Sequence, residues 1–338
     1  MGTIGLAVPR VRDGSYFPSL LEPRRRAERA LLAVVQEAYV AGVSTRRVDD
    51  VVRALGIDGV SRSEVSRMCA ALDVEVEAFR SRPLGDMAYP YLWLDATYLR
   101  VREGGRPPAG TAALVAVGVA ATGERRILGL ELSGGNDEGS AWPRFLRSLV
   151  ARGLHGVRLV ISDDHAGLVK AVREQLLGSA WQRCRVHLTR NAQELVARSA
   201  RSMVASAIRL VFEQPDGACA RRQLDAVIDA LRPRLPEVAV LLTDAEPDML
   251  VHFEFPEPHR RQIRSTNPLE RLNKEIKRRT AVVGIFPTRA SVLRLVGMVL
   301  AEQDDEWQDG RRYFRPETMA LIDAPAKEEV VPPLLLVS

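Results

Sequence analysis

Cysteine is scarce in this chain: three in 338 residues, at positions 69, 184 and 219. So few thiols, so far apart, exclude a disulfide-stapled scaffold and point to a reducing, cytoplasmic setting. No apolar run approaches the roughly 18 residues that a membrane span needs, so no membrane partner is expected. The opening residues, MGTIGLAVPRVRDG, lack the charged segment and long apolar stretch of a secretory signal. Leu6 stands where N-myristoylation would need Ser or Thr. Internal repeats and low-complexity segments are also missing, which excludes solenoids and arrays.

What is present is a mixed, core-forming composition, 46% hydrophobic and 27% charged, long enough for two ordinary domains or one domain with an insertion. The net charge of +5 is a modest bias toward polyanions. Its distribution says more. Arg24, Arg25 and Arg26 form one cluster, and a denser one runs through Arg260, Arg261, Arg264, Arg271, Lys274, Lys277, Arg278 and Arg279.

Along the chain, residues 1–23 carry Pro9, Pro18 and Pro23 and read as an arm. Residues 24–82 read as short helices. Leu31, Leu32, Val35, Ala38 and Tyr39 keep helical spacing, Gly42 ends that helix, and Ser44 caps a second with Val48, Val51, Val52 and Leu55 on one side. Gly56 and Gly59 break it, and Ser61 to Glu64 is a capping box opening a third helix. Tight turns between short helices fit a helix-turn-helix DNA-binding region. Its recognition helix would expose Arg62, Ser63, Ser66 and Arg67, which can reach phosphates and base edges. A purely structural bundle fits the same pattern.

Arg82-Pro83 and Pro90 mark a boundary, after which the period changes. Residues 91–102 read as a strand with both faces largely buried. Strands at 111–120 and 126–132, a helix at 138–152, a strand at 157–161, a helix at 165–177 and a strand at 181–186 follow. Three meandering strands, a helix and then β-α-β is the order of an RNase-H-like core, whose first part would span 88–187. Residues 188–262 read as an all-helical insertion. Residues 263–322 read as the C-terminal helices of the core, with helices at about 267–280 and 288–306, and 323–338 as a tail.

Three acidic residues stand out by placement. Asp95 lies inside the apolar strand LWLDATYL, where an ionised carboxylate is costly unless paired or metal-bound. Asp163 directly follows the strand VRLVIS, at the end where ligand sites gather in α/β sheets. Glu270 falls in the first turn of the basic helix STNPLERLNKEIKRR, where it could equally serve as compensation for the helix dipole. A carboxylate trio suits magnesium, a hard cation that takes oxygen ligands. Two such ions about 3.5–4 Å apart can activate a water or a 3′-hydroxyl and stabilise the leaving oxygen. Lys277 and Arg278, one to two turns past Glu270, could neutralise charge on a phosphodiester, and Arg271 and Lys274 lie on the same helix. Position alone leaves Asp164 as an alternative to Asp163, and Glu275 to Glu270. Cys184-x-x-His187 has the spacing of half a zinc site, but no second Cys/His pair is nearby. A supporting role beside the second Asp fits better. Residues 188–262 contain no Trp that could stack on a flipped base.

The ordered run of motifs resembles the Mutator-like transposases of bacterial insertion sequences. The matching pieces are VPRVRDGSYFP, YVAGVSTRRVDDVV, SRSEVSRM, RPLGDMAYPYLWLDATYLRVR, ILGLELSGGNDEGSAWPRFLRSLVARGL, LVISDDHAGLVKAV, WQRCRVHLTRN, IRSTNPLERLNKEIKRRTAVVGIFP and EWQDGRRYF. They cover about residues 8–322. The resemblance implies a DDE enzyme with an RNase-H-like core and an all-helical insertion. Asp95, Asp163 and Glu270 would be its catalytic, metal-binding trio, with Cys184 and His187 in the Cys-x-x-His signature. It implies two Mg²⁺ or Mn²⁺ ions and double-stranded DNA as partner, both the element's terminal inverted repeats and target DNA. It also implies a homodimer on paired ends. Family members usually begin with a further N-terminal stretch, and that difference keeps open a truncated or domesticated DNA-binding protein that no longer cuts.

Overall fold

The computed structural model describes residues 23–54, 61–102, 109–134 and 138–323. The arm, the tail, Leu55, Gly56 and Gly59 lie outside the described residues, as do the side chains of Arg24, Arg25 and Arg26.

The first helices are α1 (Pro23–Val40), α2 (Thr45–Ala54) and α3 (Arg62–Met68). Ser61 caps α3 by accepting from the Glu64 N–H, and Glu64 reaches back to the Ser61 N–H, the expected capping box. Val35, Val40, Val48, Val52, Val65 and Cys69 bury together between these helices. The third helix does not run on as the periodicity suggests. A tight 3₁₀ turn at Cys69–Ala71 re-aims the chain into a fourth helix, α4 (Leu72–Ser81), which packs on α13 (Arg289–Asp309).

The described strands are β1 (Tyr91–Val101), β2 (Ala109–Val119), β3 (Arg125–Leu132), β4 (Leu159–Ser162) and β5 (Ala180–Arg183). They form one sheet in the order β3-β2-β1-β4-β5. The first three are antiparallel, whereas β4 runs parallel to both β1 and β5. Gly123 makes the turn between β2 and β3 at φ 87°, and a Cβ there would come 2.1 Å from the Phe314 carbonyl oxygen. Only glycine lets that turn dock on the C-terminal segment.

β1 is buried on both faces only over its first half. Residues 91–94 are fully covered, whereas beyond Thr97 burial alternates, with Tyr98 and Arg100 exposed. β4 pairs with β1 only through Trp93, so the second half of β1 projects past its parallel neighbour. β5 is shorter than the apolar pattern suggests. It ends at Arg183, and Cys184 serves as N-cap of helix α7 (Arg185–Glu194), so the Cys-x-x-His pair lies on a helix start.

Two apolar layers sandwich the sheet. On one face, α5 (Glu138–Ala151) and α6 (Ala166–Gln175) cover Leu92, Leu94, Leu114, Leu128 and Val160. On the other, α12 (Asn267–Thr280) and α13 cover Tyr91, Trp93, Val115, Val117 and Ile161. Between β5 and α12 the chain runs through α7, α8 (Arg201–Phe212), α9 (Gly217–Leu231), α10 (Pro236–Met249) and α11 (Glu257–Ile263). Val204, Ile208, Leu224, Leu242 and Met249 give this stretch its own core.

Candidate active site

Parallel pairing of β1 with β4 aligns Trp93 with Ile161. Asp95 and Asp163 each lie two residues beyond that pair. Asp95 is on β1 and Asp163 just past the end of β4, so the two stand side by side at the same edge of the sheet. Both line one small cavity, of about 60 Å³, together with Tyr98, Ser133, Trp142 and His165.

Burial pushes the Asp95 carboxyl above its ordinary value, and the charge of Asp163 adds to the rise. The Ala96 N–H on Oδ1 (2.9 Å) and the Asn273 amide on Oδ2 (2.7 Å) work against it, as does His187. Asp163 makes no side-chain hydrogen bond or ion pair among the described residues and presents its oxygens to the cavity. Asp164 turns away to Arg183, with Nη1 to Oδ2 at 2.9 Å. Two carboxylates facing one cavity, one of them desolvated, are a hard-oxygen donor set, which fits a divalent cation.

Helix α12 comes onto this pair from above the sheet. Leu269, Leu272 and Ile276 bury against the strand face, each contributing roughly 1.5–3 kcal/mol. Trp93 Nε1 donates to the Ser265 carbonyl at 3.1 Å, just before the helix. One turn in, Asn273 bridges two strand residues, accepting from Thr97 Oγ1 at 2.7 Å and donating to Asp95. Because the buried Thr97 hydroxyl occupies Oδ1, the amide must aim Nδ2 at the carboxylate. Glu270 is half-buried and one turn before Asn273, so the two share a helix face. Among the described residues no three His, Cys, Asp or Glu side chains converge into an ion-holding group. The structure thus brings Asp95 and Asp163 together and gives no three-carboxylate cluster with Glu270. Glu275 is engaged elsewhere, its carboxyl held down to about 2 by hydrogen bonds from Arg278 and Arg279.

Cys184 and His187 lie directly behind the pair. The Cys184 sulfur accepts from the Thr266 N–H at 3.2 Å and contacts the Thr266 hydroxyl at 3.3 Å. Burial pushes this thiol up, but His187 and Thr266 outweigh it, and it lies below its ordinary value. The same sulfur, with Asp95 and Asp163, raises the His187 imidazole. His187 Nδ1 is buried without a hydrogen-bond partner, as is Nδ1 of His165.

Of the cationic residues singled out on α12, Arg271, Lys274 and Lys277 are exposed, whereas Arg278 closes on Glu275. On α3, Ser63 and Arg67 are exposed, and the side chains of Arg62 and Ser66 lie outside the described residues. Sequence reasoning missed Asn273 and Thr97. The signal was available for Asn273 alone, through its one-turn offset from Glu270.

Comparison with known proteins adds a family. Residues 1–310 match the family model described as transposase, Mutator family. The chain is 50% identical over 318 residues to the transposase for insertion sequence element IS1081 of Mycobacterium tuberculosis, covering 94% of this chain and 76% of that one. It is 47% identical over 316 residues to the transposase for insertion sequence element IS406 of Burkholderia multivorans, with coverages of 93% and 80%. It is 37% identical over 317 residues to the transposase for insertion sequence element IS256 in transposon Tn4001 of Staphylococcus aureus, again 93% and 80%.

Proposed function

The chain belongs to the Mutator family of transposases, and from that premise we propose that it hydrolyses and rejoins DNA strands at a DDE site formed by Asp95, Asp163 and Glu270. The single observation that carries this reading is that Asp95 on β1 and Asp163, just past the end of the parallel strand β4, line one cavity. The strand order β3-β2-β1-β4-β5, antiparallel then parallel, supports an RNase-H-like core, and α7–α11 would be its all-helical insertion. The alternative of a DNA-binding protein that no longer cuts is not favoured, because the relatives are named as transposases.

A pair of Mg²⁺ or Mn²⁺ ions held by these carboxylates would supply the Lewis acidity that generates the attacking hydroxide or 3′-alkoxide and stabilises the leaving oxygen. The chain's own residues do the rest. Asn273 fixes the Asp95 carboxylate by one oxygen. His187, raised in pKa beside the two Asp residues, offsets part of their mutual repulsion. Glu270 would join them from α12, where it lies one turn before the residue that touches Asp95. Lys274, Lys277 and Arg271 give that helix a cationic surface for the scissile strand's phosphates. The N-terminal helices would act as a helix-turn-helix reader of the element's ends through Arg62, Ser63, Ser66 and Arg67. A homodimer would hold two ends together.

The test is Mg²⁺-dependent nicking of duplex DNA carrying the element's inverted repeats. Asp95→Asn, Asp163→Asn and Glu270→Gln are each expected to lower the rate at least 10³-fold, an order of magnitude typical of lost transition-state stabilisation. Asp164→Asn and Glu275→Gln should stay within about tenfold. Nicking that survives Asp95→Asn would sink the assignment.

A further inference from the structure

A second concentration of charge lies on the other side of α12, in the cleft it makes with α13. Arg125 at the first position of β3, Arg261 on α11 and Arg271 on α12 line this cleft of about 540 Å³, and no Asp or Glu lines it. None of the three guanidinium groups has a carboxylate partner among the described residues. Elsewhere on the same layer, Arg82 and Arg126 share Asp304, Arg294 takes Asp73, and Arg279 takes Glu275 and Glu302.

Arg125 is the most constrained of the three. Its guanidinium lies 3.6 Å from the Trp307 ring centroid and 4.9 Å from that of Tyr313. Burial brings its pKa down to about 10, and the charge of Arg271 adds to the fall. Its Nε is buried without a hydrogen-bond partner, as is the Gln262 Oε1. Stacking fixes the plane of the guanidinium but answers none of its charge. Three cations facing one cleft raise the cost of folding unless an anion joins them.

We propose that this cleft binds a backbone phosphate of the DNA on which the carboxylate site acts. The planar forks of Arg125, Arg261 and Arg271 suit a tetrahedral anion with several acceptor oxygens. The aromatic walls do not suit a base, because Arg125 already covers the Trp307 ring and Tyr313 packs edge-on against Trp93. The link to chemistry is short. Arg271 follows Glu270 on α12, and Ser265, which lines the cleft, receives the Trp93 hydrogen bond at the root of the Asp95 strand. The inference rests on the chain acting on DNA and not on which carboxylates cut.

The experiment measures binding of the full chain to a 40-base-pair duplex, by fluorescence anisotropy in Ca²⁺, across a salt series. Arg261→Gln and Arg271→Gln remove charge from exposed side chains without an internal partner, and Arg232→Gln on the far helices is the control. Each phosphate contact contributes about 0.9 to the slope of log K against log salt. The Arg261→Gln/Arg271→Gln pair, which empties one phosphate site, is therefore expected to lower that slope by up to about 0.9 and to weaken binding on the order of tenfold at 0.1 M salt. Arg125→Lys, which keeps the charge but loses the fork, should weaken binding with the slope nearly unchanged. An unchanged slope and affinity in the double variant, with its melting temperature intact, would overturn the proposal. Asp95→Asn should bind with the full slope, so a failure here and a failure of the carboxylate assignment are read separately.

Discussion

Asn273 couples the Glu270 helix to the Asp95 strand through one amide. Removing it strands the buried Thr97 hydroxyl and one oxygen of Asp95, a loss of roughly 1–3 kcal/mol. Asn273→Ala is expected to melt earlier and to need more Mg²⁺ for half-maximal nicking, while duplex affinity in Ca²⁺ stays the same. Unchanged Mg²⁺ dependence would reduce Asn273 to a purely structural tie. His259 makes a second residue-scale prediction. Its Nδ1 lies 2.8 Å from the Tyr91 hydroxyl and its Nε2 2.8 Å from Thr318 Oγ1. Burial lowers it to about 4, so the folded ring is neutral where an unfolded one, near 6.5, takes a proton. The contribution is whole above pH 6.5 and is lost as pH falls toward 4, on the order of 3 kcal/mol in all. Urea unfolding of His259→Gln should accordingly show a shallower loss of stability between pH 6.5 and 5. At this scale the sequence was partly legible. Asp95 stood out because a carboxylate interrupts an apolar strand. The pairing of Glu275 with Arg278 and Arg279 follows helical spacing and separates it from Glu270. The Asp164–Arg183 pair does not, because it joins the segment after β4 to the end of β5.

At the scale of elements, the approach of α4 to α13 depends on Gly297. A Cβ there would lie 2.5 Å from Val76 Cγ1, and valine's stiff χ1 gives it little room to yield. Gly297→Ala should cost about 1–3 kcal/mol through overpacking. Val76→Ala in the same chain should restore most of that, as a thermal double-mutant cycle would read. Additive losses would mean that the two helices do not meet as described. Periodicity located most helices and strands because each buries one face. It overextended the burial of β1, since the residues past Asp95 look equally apolar although β4 no longer flanks them. It also ran β5 into α7, because the pattern does not mark Cys184 as a helix cap.

At the scale of the molecule, α13 joins parts that are distant in sequence. Its Asp304, wholly buried, takes Arg82 from the segment after α4 at 2.8 Å and Arg126 from β3 at 3.6 Å, and accepts from the Ile127 N–H. Asp304→Ala would leave two guanidinium groups facing an emptied site. It is expected to cost about 3–5 kcal/mol, as for other broken buried pairs, measured by denaturant unfolding. Intact stability would show that the arginines find other partners.

The placing of α12 and α13 over the sheet also bears on how the protein is made. A ribosome that has finished β5 has produced both aspartates, yet most of the cover over Tyr91, Trp93, Val115 and Ile161, in α12 and α13, is still to come. Until the last quarter of the message is read, the newborn chain is a sheet with one sticky side and no clamp on Asp95. An interrupted copy would therefore yield material for proteases and chaperones, not a loose nuclease, and the host's chromosome is spared the half-made enzyme.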